Sequence, residues 1–347
     1  MIMDEIKTLK KELGNKVVIP VHHYQAKEIV DVADFVGDSY MLAVDCSKTN
    51  AQFIVFCGVL FMAQCADILG SSEQKVVIPV PTADCPMANM ANLATVEKVF
   101  SSLPNNENIA PIVYMNSYAD LKSFCGKHGG SVCTSSNAEK IMKYYLDQGK
   151  QVLFFPDRNL GINTAMKLGL SEKDTINSKN IAAYNNERVI LWDGFCPIHL
   201  NFTVSDVTEM RKKYPEAKVI VHPESTKEVV DNADDSGSTE YILKKIEASP
   251  DGSSWIVGTE STFVRRLAVQ FPAKNIYMLK DSVCANMAKT TPELLHKTLL
   301  NVKQHIENGT PLENIVTVEN EYKEFAAQSL KKMIEIARTL AEDFPMC

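Results

Sequence analysis

Short β-branched runs alternate with longer amphipathic stretches along nearly the whole chain, and three of those runs end on polar side chains: Val17 to His22, Ile112 to Asn116 and Val219 to His222. Alternation of this kind specifies parallel sheets covered by helices on both faces, so the fold class is α/β. The three run ends, at 22, 116 and 222, stand 94 and 106 residues apart. From each, 16 to 19 residues lead to a Ser/Thr-bearing turn: Gly37-Asp38-Ser39, Thr134-Ser135-Ser136 and Gly237-Ser238-Thr239. A second strand follows (Phe53 to Phe56, Val152 to Phe155, Trp255 to Val257), and a third apolar run begins at Val76, Val189 or Ile276. Three strands per unit are expected. A period of about 100 residues is too long for a solenoid and predicts three related domains about a pseudo-threefold axis. The expected units are 1–96, 97–200 and 201–290, with closing helices from 291–347 packing back on the first. Open α/β sheets bind ligands beyond the carboxyl ends of their strands, so the polar strand ends should gather around a cavity on that axis.

The 347 residues carry 36 Lys plus Arg against 43 Asp plus Glu, a net charge of -7, with no basic run to compensate locally. That balance argues against a nucleic-acid partner. No stretch approaches the roughly 18 apolar residues of a membrane span, and the lysine-rich start lacks a secretory pattern, so a cytoplasmic protein without membrane contact is expected. Nine cysteines, odd in number and without framework spacing, fit a reducing compartment and leave thiols free for metal.

Three of those cysteines occupy equivalent places. Cys85, Cys196 and Cys284 follow the first residue of their third apolar run by 9, 7 and 8 positions, and none has a second cysteine at metal-ligand spacing. Cys46, Cys57, Cys65, Cys125 and Cys133 read as small buried hydrophobes, the ordinary role of a free cysteine. Zinc asks for four ligands or a histidine-rich set, and an electron-carrying cluster for four thiolates. Three lone cysteines instead leave one iron of a cubane open, a Lewis acid able to take a hydroxyl or carboxylate oxygen. At the strand ends, His22-His23-Tyr24 and His222-Pro223-Glu224 supply imidazole, phenol and carboxylate for proton transfer, with Tyr114 and Asn116 at the equivalent place in the middle unit. Ser39, Ser135, Ser136, Ser238 and Thr239 are first of all helix caps, but three helix starts facing one axis would also seat phosphate or carboxylate groups without a lysine. His199, three residues beyond Cys196, is a substrate or outer-sphere contact, whereas His128, His296 and His305 lack supporting context. Dinucleotide, P-loop, metalloprotease and serine-elbow signatures are absent.

Taken in order, Val21-His22-His23-Tyr24-Gln25, Ala33 to Ser39, Val55 to Val59 with Phe61-Met62-Ala63, Cys85-Pro86-Met87-Ala88, Tyr114 to Ser117, Thr134 to Ala138, Pro156 to Gly161, Gly194 to His199, Val221 to Glu224 and Cys284 to Met287 make a specific series. With it the chain resembles the quinolinate synthase family, iron-sulfur enzymes of de novo NAD biosynthesis, over essentially its whole length. The resemblance implies a triangular protein of three similar three-layer α/β/α domains around a central cavity. That cavity would hold a [4Fe-4S] cluster on Cys85, Cys196 and Cys284, its fourth iron open to substrate. The implied reaction, of the transferase class, condenses iminoaspartate with dihydroxyacetone phosphate to quinolinate, losing phosphate and two waters. L-Aspartate oxidase or aspartate dehydrogenase would be the functional link that supplies iminoaspartate. By the same resemblance Ser39, Ser135, Ser238 and Thr239 hold phosphate or carboxylates. His22, Tyr24, Tyr114, Asn116, His199, His222 and Glu224 line the cavity, and Tyr24, Glu224, His199 and Tyr114 serve catalysis. Two departures stand out. A second histidine follows His22, and strand alternation lets only one of them face inward, expected to be His22. Ser225 stands where many relatives carry cysteine, which leaves the three expected ligands untouched. Without the resemblance, an iron-sulfur hydro-lyase acting on a hydroxy-dicarboxylate is the competing enzyme reading. A thiol-based or iron-sulfur redox sensor would need a partner surface that this acidic, motif-poor sequence does not display.

Overall fold

The computed structural model describes residues 2–339. The front of the chain builds β1 (Val17–Val18), β2 (Pro20–His22), β3 (Phe35–Gly37), β4 (Phe53–Val55) and β5 (Lys75–Val77). β1 and β2 are one run divided at Ile19. β1 pairs with β4 and β4 with β5, β2 pairs with β3, and a bridge from Val21 to Cys57 ties the two sets together, all in parallel. A second sheet holds β6 (Ile109–Tyr114), β7 (Ser131–Cys133), β8 (Gln151–Phe155), β9 (Thr175–Asn177) and β10 (Val189–Leu191) in the order β7-β6-β8-β10-β9. A third holds β11 (Lys218–Val221), β12 (Asp235–Ser236), β13 (Ser254–Gly258) and β14 (Asn275–Met278) in the order β12-β11-β13-β14. Both of these are parallel throughout. β15 (Ile315–Val316) returns antiparallel to the edge of the first sheet beside β5.

With β1 and β2 counted as one strand, every sheet sets its second strand outside the first, then the third, then the run that leads to Cys85, Cys196 or Cys284. That makes four strands where three were expected. β3, β7 and β12 are only 3, 3 and 2 residues long, too short to show a period, and they stand directly before the Ser/Thr turns. The correspondence reaches individual bonds: Asp34 accepts the Ile19 amide at 2.8 Å in the first sheet, and Asp234 accepts the Val219 amide at 2.7 Å in the third.

Helices cover these strands on both faces, so strand interiors are apolar without alternation, as in Val152 to Phe155 and Val219 to Val221, all buried. Several helices that follow a strand open on a side-chain cap. Asp38, Asp157, Ser238 and Glu260 each accept amide hydrogens from the first turn. Carboxyl ends of strands and amino ends of helices therefore lie on one side of each sheet, which is where the site forms. Helix Pro292–Asn308 packs Leu295, Leu299 and Val302 on Ile6, Leu9 and Leu13 of helix Ile2–Leu13. Helix Asn320–Thr339 runs along helix Ala119–Lys127, within 97–200. Gly126 permits that approach, because a Cβ there would fall 2.0 Å from the carbonyl oxygen of Phe325. Of the 291–347 segment, residues 340–347 lie outside the described residues. Among those described, no helix is long and apolar enough to cross a membrane.

Candidate active site

A cavity of about 270 Å³ opens where the three sheets meet, and residues from all three line it. The first sheet contributes His22 from the end of β2 and Tyr24 from the turn after it. The second contributes Tyr114 and Asn116 from the end of β6, and the third contributes His222 and Glu224 from the turn after β11. The two histidine turns are alike. His22 Nδ1 accepts the Tyr24 amide at 3.2 Å and His222 Nδ1 accepts the Glu224 amide at 3.3 Å, so each neutral ring carries its hydrogen on Nε2. Burial holds His22 well below the usual histidine range and takes His222 down to about 3, with His199 adding to the effect on His222. His23 faces away from the cavity, its Nε2 3.1 Å from Glu240 and its Nδ1 3.1 Å from an Arg266 nitrogen. Arginine only donates, so Nδ1 accepts and Nε2–H donates to the carboxylate, a clasp between the first and third sheets.

Four hydrogen bonds join five side chains across the cavity wall. Tyr24 Oη lies 3.0 Å from Thr259 Oγ1, which lies 3.0 Å from His199 Nε2. His199 Nδ1 is 2.7 Å from Glu224 Oε2, and the Tyr114 phenol donates to Glu224 Oε1. Burial alone would push the Glu224 acid up. His222 and His199, with the bonds from His199 and Tyr114, more than offset it and hold the group below the usual carboxylate range. An ionised Glu224 only accepts, so Nδ1 of His199 bears the hydrogen and Nε2 accepts from Thr259, whose oxygen in turn accepts from Tyr24. The chain therefore runs one way, from phenol to carboxylate. Burial and the nearby Glu224 charge raise the Tyr24 phenol well above its ordinary value, which keeps it a donor.

Cys85, Cys196 and Cys284 all line this cavity, each on the loop after the last strand it follows. Every sulfur faces backbone amides of the turn that succeeds it: Ala88 and Met87 for Cys85, His199 for Cys196, Met287 and Asn286 for Cys284. Burial nevertheless pushes the Cys85 thiol up to about 12 and raises the other two. The thiols thus keep their protons near neutral pH. Carboxylates tether two of the loops, Asp84 accepting the Cys85 amide at 2.6 Å and Glu260 the Cys284 amide at 3.2 Å. Cys196 Sγ, a His199 nitrogen and a Glu224 oxygen also lie within 4.8 Å of one another, although both ring nitrogens of His199 are already engaged.

Ser39, Ser135 and Thr239 also line the cavity. Ser238 lies one residue behind, its hydroxyl accepting the Tyr241 amide and lying 2.9 Å from Ser136 Oγ. Ser136 is also hydrogen-bonded to Asp38, so one side chain from each sheet meets in that knot.

Several contributors escaped the sequence reading. Thr259 is a lone threonine at a strand end and carries no motif. Asn159 and Asn163, one turn apart on helix Arg158–Lys167, donate to the Glu224 carbonyl at 3.2 Å and to the Pro223 and Ser225 carbonyls at 2.9 Å each. They hold the turn that presents Glu224. Asparagine is a poor helix former, so a pair of them inside a helix was the available signal. Asp157 caps that helix through Oδ1, and burial with the Glu224 charge raises its acid well above the usual range.

The family model for quinolinate synthetase A protein matches residues 4–335. The chain belongs to the quinolinate synthetase A family. The quinolinate synthase of Corynebacterium glutamicum is 45% identical over 291 residues, 80% of this chain and 74% of that protein. Those of Streptomyces coelicolor and Bacillus subtilis are 42% and 39% identical over 95% of this chain, covering 87% and 92% of their own lengths. In this chain the three cysteine loops and the Glu224–His199 pair face a shared cavity.

Proposed function

We propose that this chain is a quinolinate synthase that condenses iminoaspartate with dihydroxyacetone phosphate to quinolinate, releasing phosphate and two waters. The sum is redox-neutral, so the site must move protons and let oxygen groups depart. The observation that carries the reading is that Cys85, Cys196 and Cys284, from three different sheets, line the same cavity as the Tyr24-Thr259-His199-Glu224-Tyr114 chain. Three soft sulfur donors with amides aimed at them suit a [4Fe-4S] cluster better than a lone hard cation. Cys85, Cys196 and Cys284 would hold it. When bound, such a cluster supplies a Lewis acid at the iron without a cysteine.

The protein's own groups do the rest. Glu224, ionised and buried, raises the basicity of His199 through Nδ1, so that Nε2 can draw a proton through Thr259 from Tyr24 or from substrate beside it. Tyr114 donates to Glu224 and keeps the carboxylate aligned. His22 and His222 offer Nε2–H donors, and Asn116 offers a carboxamide, to carboxylate and carbonyl oxygens of the substrates. Ser39, Ser135 and Thr239 would seat phosphate or carboxylate, with Ser238 setting the helix start beneath Thr239. The shared strand order supports three α/β/α domains related by a pseudo-threefold axis, 1–96, 97–200 and 201–290, with helix Pro292–Asn308 of the closing segment returning to the first and helix Asn320–Thr339 lying mainly on the second. The enzyme works on small molecules in the cytoplasm, with L-aspartate oxidase or aspartate dehydrogenase as the source of iminoaspartate.

Anaerobic purification with iron and sulfide analysis, followed by quinolinate assay, tests this. Wild type should be brown and active, and Cys85→Ala, Cys196→Ala and Cys284→Ala should each lack the cluster and activity. Colourless protein that forms quinolinate rejects the reading.

A further inference from the structure

The cavity is lined by Asp38, Asp84 and Glu224 but, among the described residues, by no lysine or arginine. One cation stands behind its wall. Lys122, on helix Ala119–Lys127, is fully buried, and no carboxylate is among its hydrogen-bond partners. Its Nζ donates to the Met115 carbonyl at 2.9 Å, to the Ser117 carbonyl at close range and to Ser117 Oγ at 3.4 Å. Three acceptors call for three hydrogens, and a neutral amine has two, so the group is an ammonium. The face of Phe61, a cavity-lining ring with its centroid 5.6 Å away, completes the enclosure. Burial lowers the affinity of Lys122 for its proton, with the Cys65 thiol opposing, which marks this charge as costly to keep here.

The gripped oxygens flank a single residue. Met115 and Ser117 stand on either side of Asn116, and Ser117 Oγ also donates to the Tyr114 carbonyl at 3.0 Å, so the clamp spans the whole turn from Tyr114 to Ser117. Asn116 lines the cavity, and its Oδ1 is buried without a protein hydrogen-bond partner. A buried acceptor left open beside a clamped backbone is suited to a donor on the ligand.

We infer that Lys122 is a positioning residue: its ammonium fixes the Tyr114–Ser117 turn so that Asn116 presents its carboxamide to substrate. The inference rests on the cavity being the quinolinate-forming site. A lysine with a purely structural role would act on stability and leave Asn116 unaffected. A positioning lysine acts through Asn116, and its removal strands neutral carbonyls rather than a partner charge, a cost that relief of the buried ammonium largely offsets.

The test is a double-mutant cycle of Lys122→Met and Asn116→Ala in the cluster-containing enzyme, with thermal melting and amide hydrogen exchange of the 112–119 segment. Lys122→Met should melt within a few degrees of wild type, exchange faster in that segment, and lose roughly tenfold to a hundredfold in kcat/KM, mainly through KM. The double variant should fall no further than Asn116→Ala alone. Additive losses, unchanged exchange, or kcat/KM within threefold of wild type would each overturn the inference. Should Lys122→Met fail to fold, Lys122→Gln, which keeps two N–H donors, takes its place, and failure of both assigns Lys122 a structural role and also overturns it. If wild type itself forms no quinolinate, the proposed function falls, while hydrogen exchange still decides whether Lys122 holds the turn.

Discussion

Replacing Glu224 by glutamine removes one charge and adds two hydrogens in a site with no room to reorganise, since Glu224 is 3% exposed and receives hydrogens from both His199 and Tyr114. The two donors reach different carboxylate oxygens, and an amide has an acceptor at only one of those places. The less costly solution keeps His199 Nδ1–H on the oxygen and turns the Tyr114 hydroxyl to accept from the new NH₂. His199 then retains its tautomer but loses the anion that stabilises its protonated form. A hydrogen bond to a charged group contributes about 1.5 to 3 kcal/mol, and each 1.4 kcal/mol is a factor of ten, so kcat should fall roughly tenfold to 150-fold. Folding should change little, because relief of the buried charge offsets the weaker hydrogen bonding. The assay is anaerobic quinolinate formation followed by ultraviolet absorbance, with iron and sulfide content matched to wild type. A cluster-loaded Glu224→Gln enzyme retaining a third or more of wild-type kcat would refute the role given to the carboxylate.

Thr259→Val, nearly isosteric, deletes the hydroxyl between Tyr24 and His199 and leaves two buried groups unpartnered. It should lose about 1–3 kcal/mol of stability and at least tenfold in kcat with cluster content unchanged, and normal turnover would remove Thr259 from the relay. His222 binds a proton near pH 3 when folded and near 6.5 when unfolded, so stability is flat above about pH 6.5 and declines as pH falls toward 3, by about 2 kcal/mol at pH 5. His22, also lowered by burial, adds with the same sign. Anaerobic urea unfolding at pH 7.5 and pH 5 checks this, with a smaller difference expected in His222→Gln, and equal stability at the two pH values would contradict it.

What could be read beforehand depended on rare residue types in repeated places. Cysteine at one position in each of three units, and histidine at two strand ends, are visible because chance seldom repeats them. Parallel sheets were visible because strands buried on both faces stay apolar from end to end, as in β10. β3, β7 and β12 were not, since two or three residues cannot display a period. Thr259, Asn159 and Asn163 act through distances of 60, 65 and 62 residues along the chain to His199, Glu224 and Ser225, and pattern within one segment carries no trace of that. Lys122 was hidden for a different reason: a lysine on a helix is normally solvated, and only tertiary packing reveals one that is not.

Three seams close the cavity: Tyr114 on Glu224 joins the second sheet to the third, His23 on Glu240 the first to the third, and Ser136 on Asp38 the first to the second. A molecule touching all three walls is therefore a keystone. Its binding energy is shared among all three interfaces and matters most for the third unit, whose cores are separate from the one that the first two units share, so occupancy should make the lobes melt as one and resist proteolysis together.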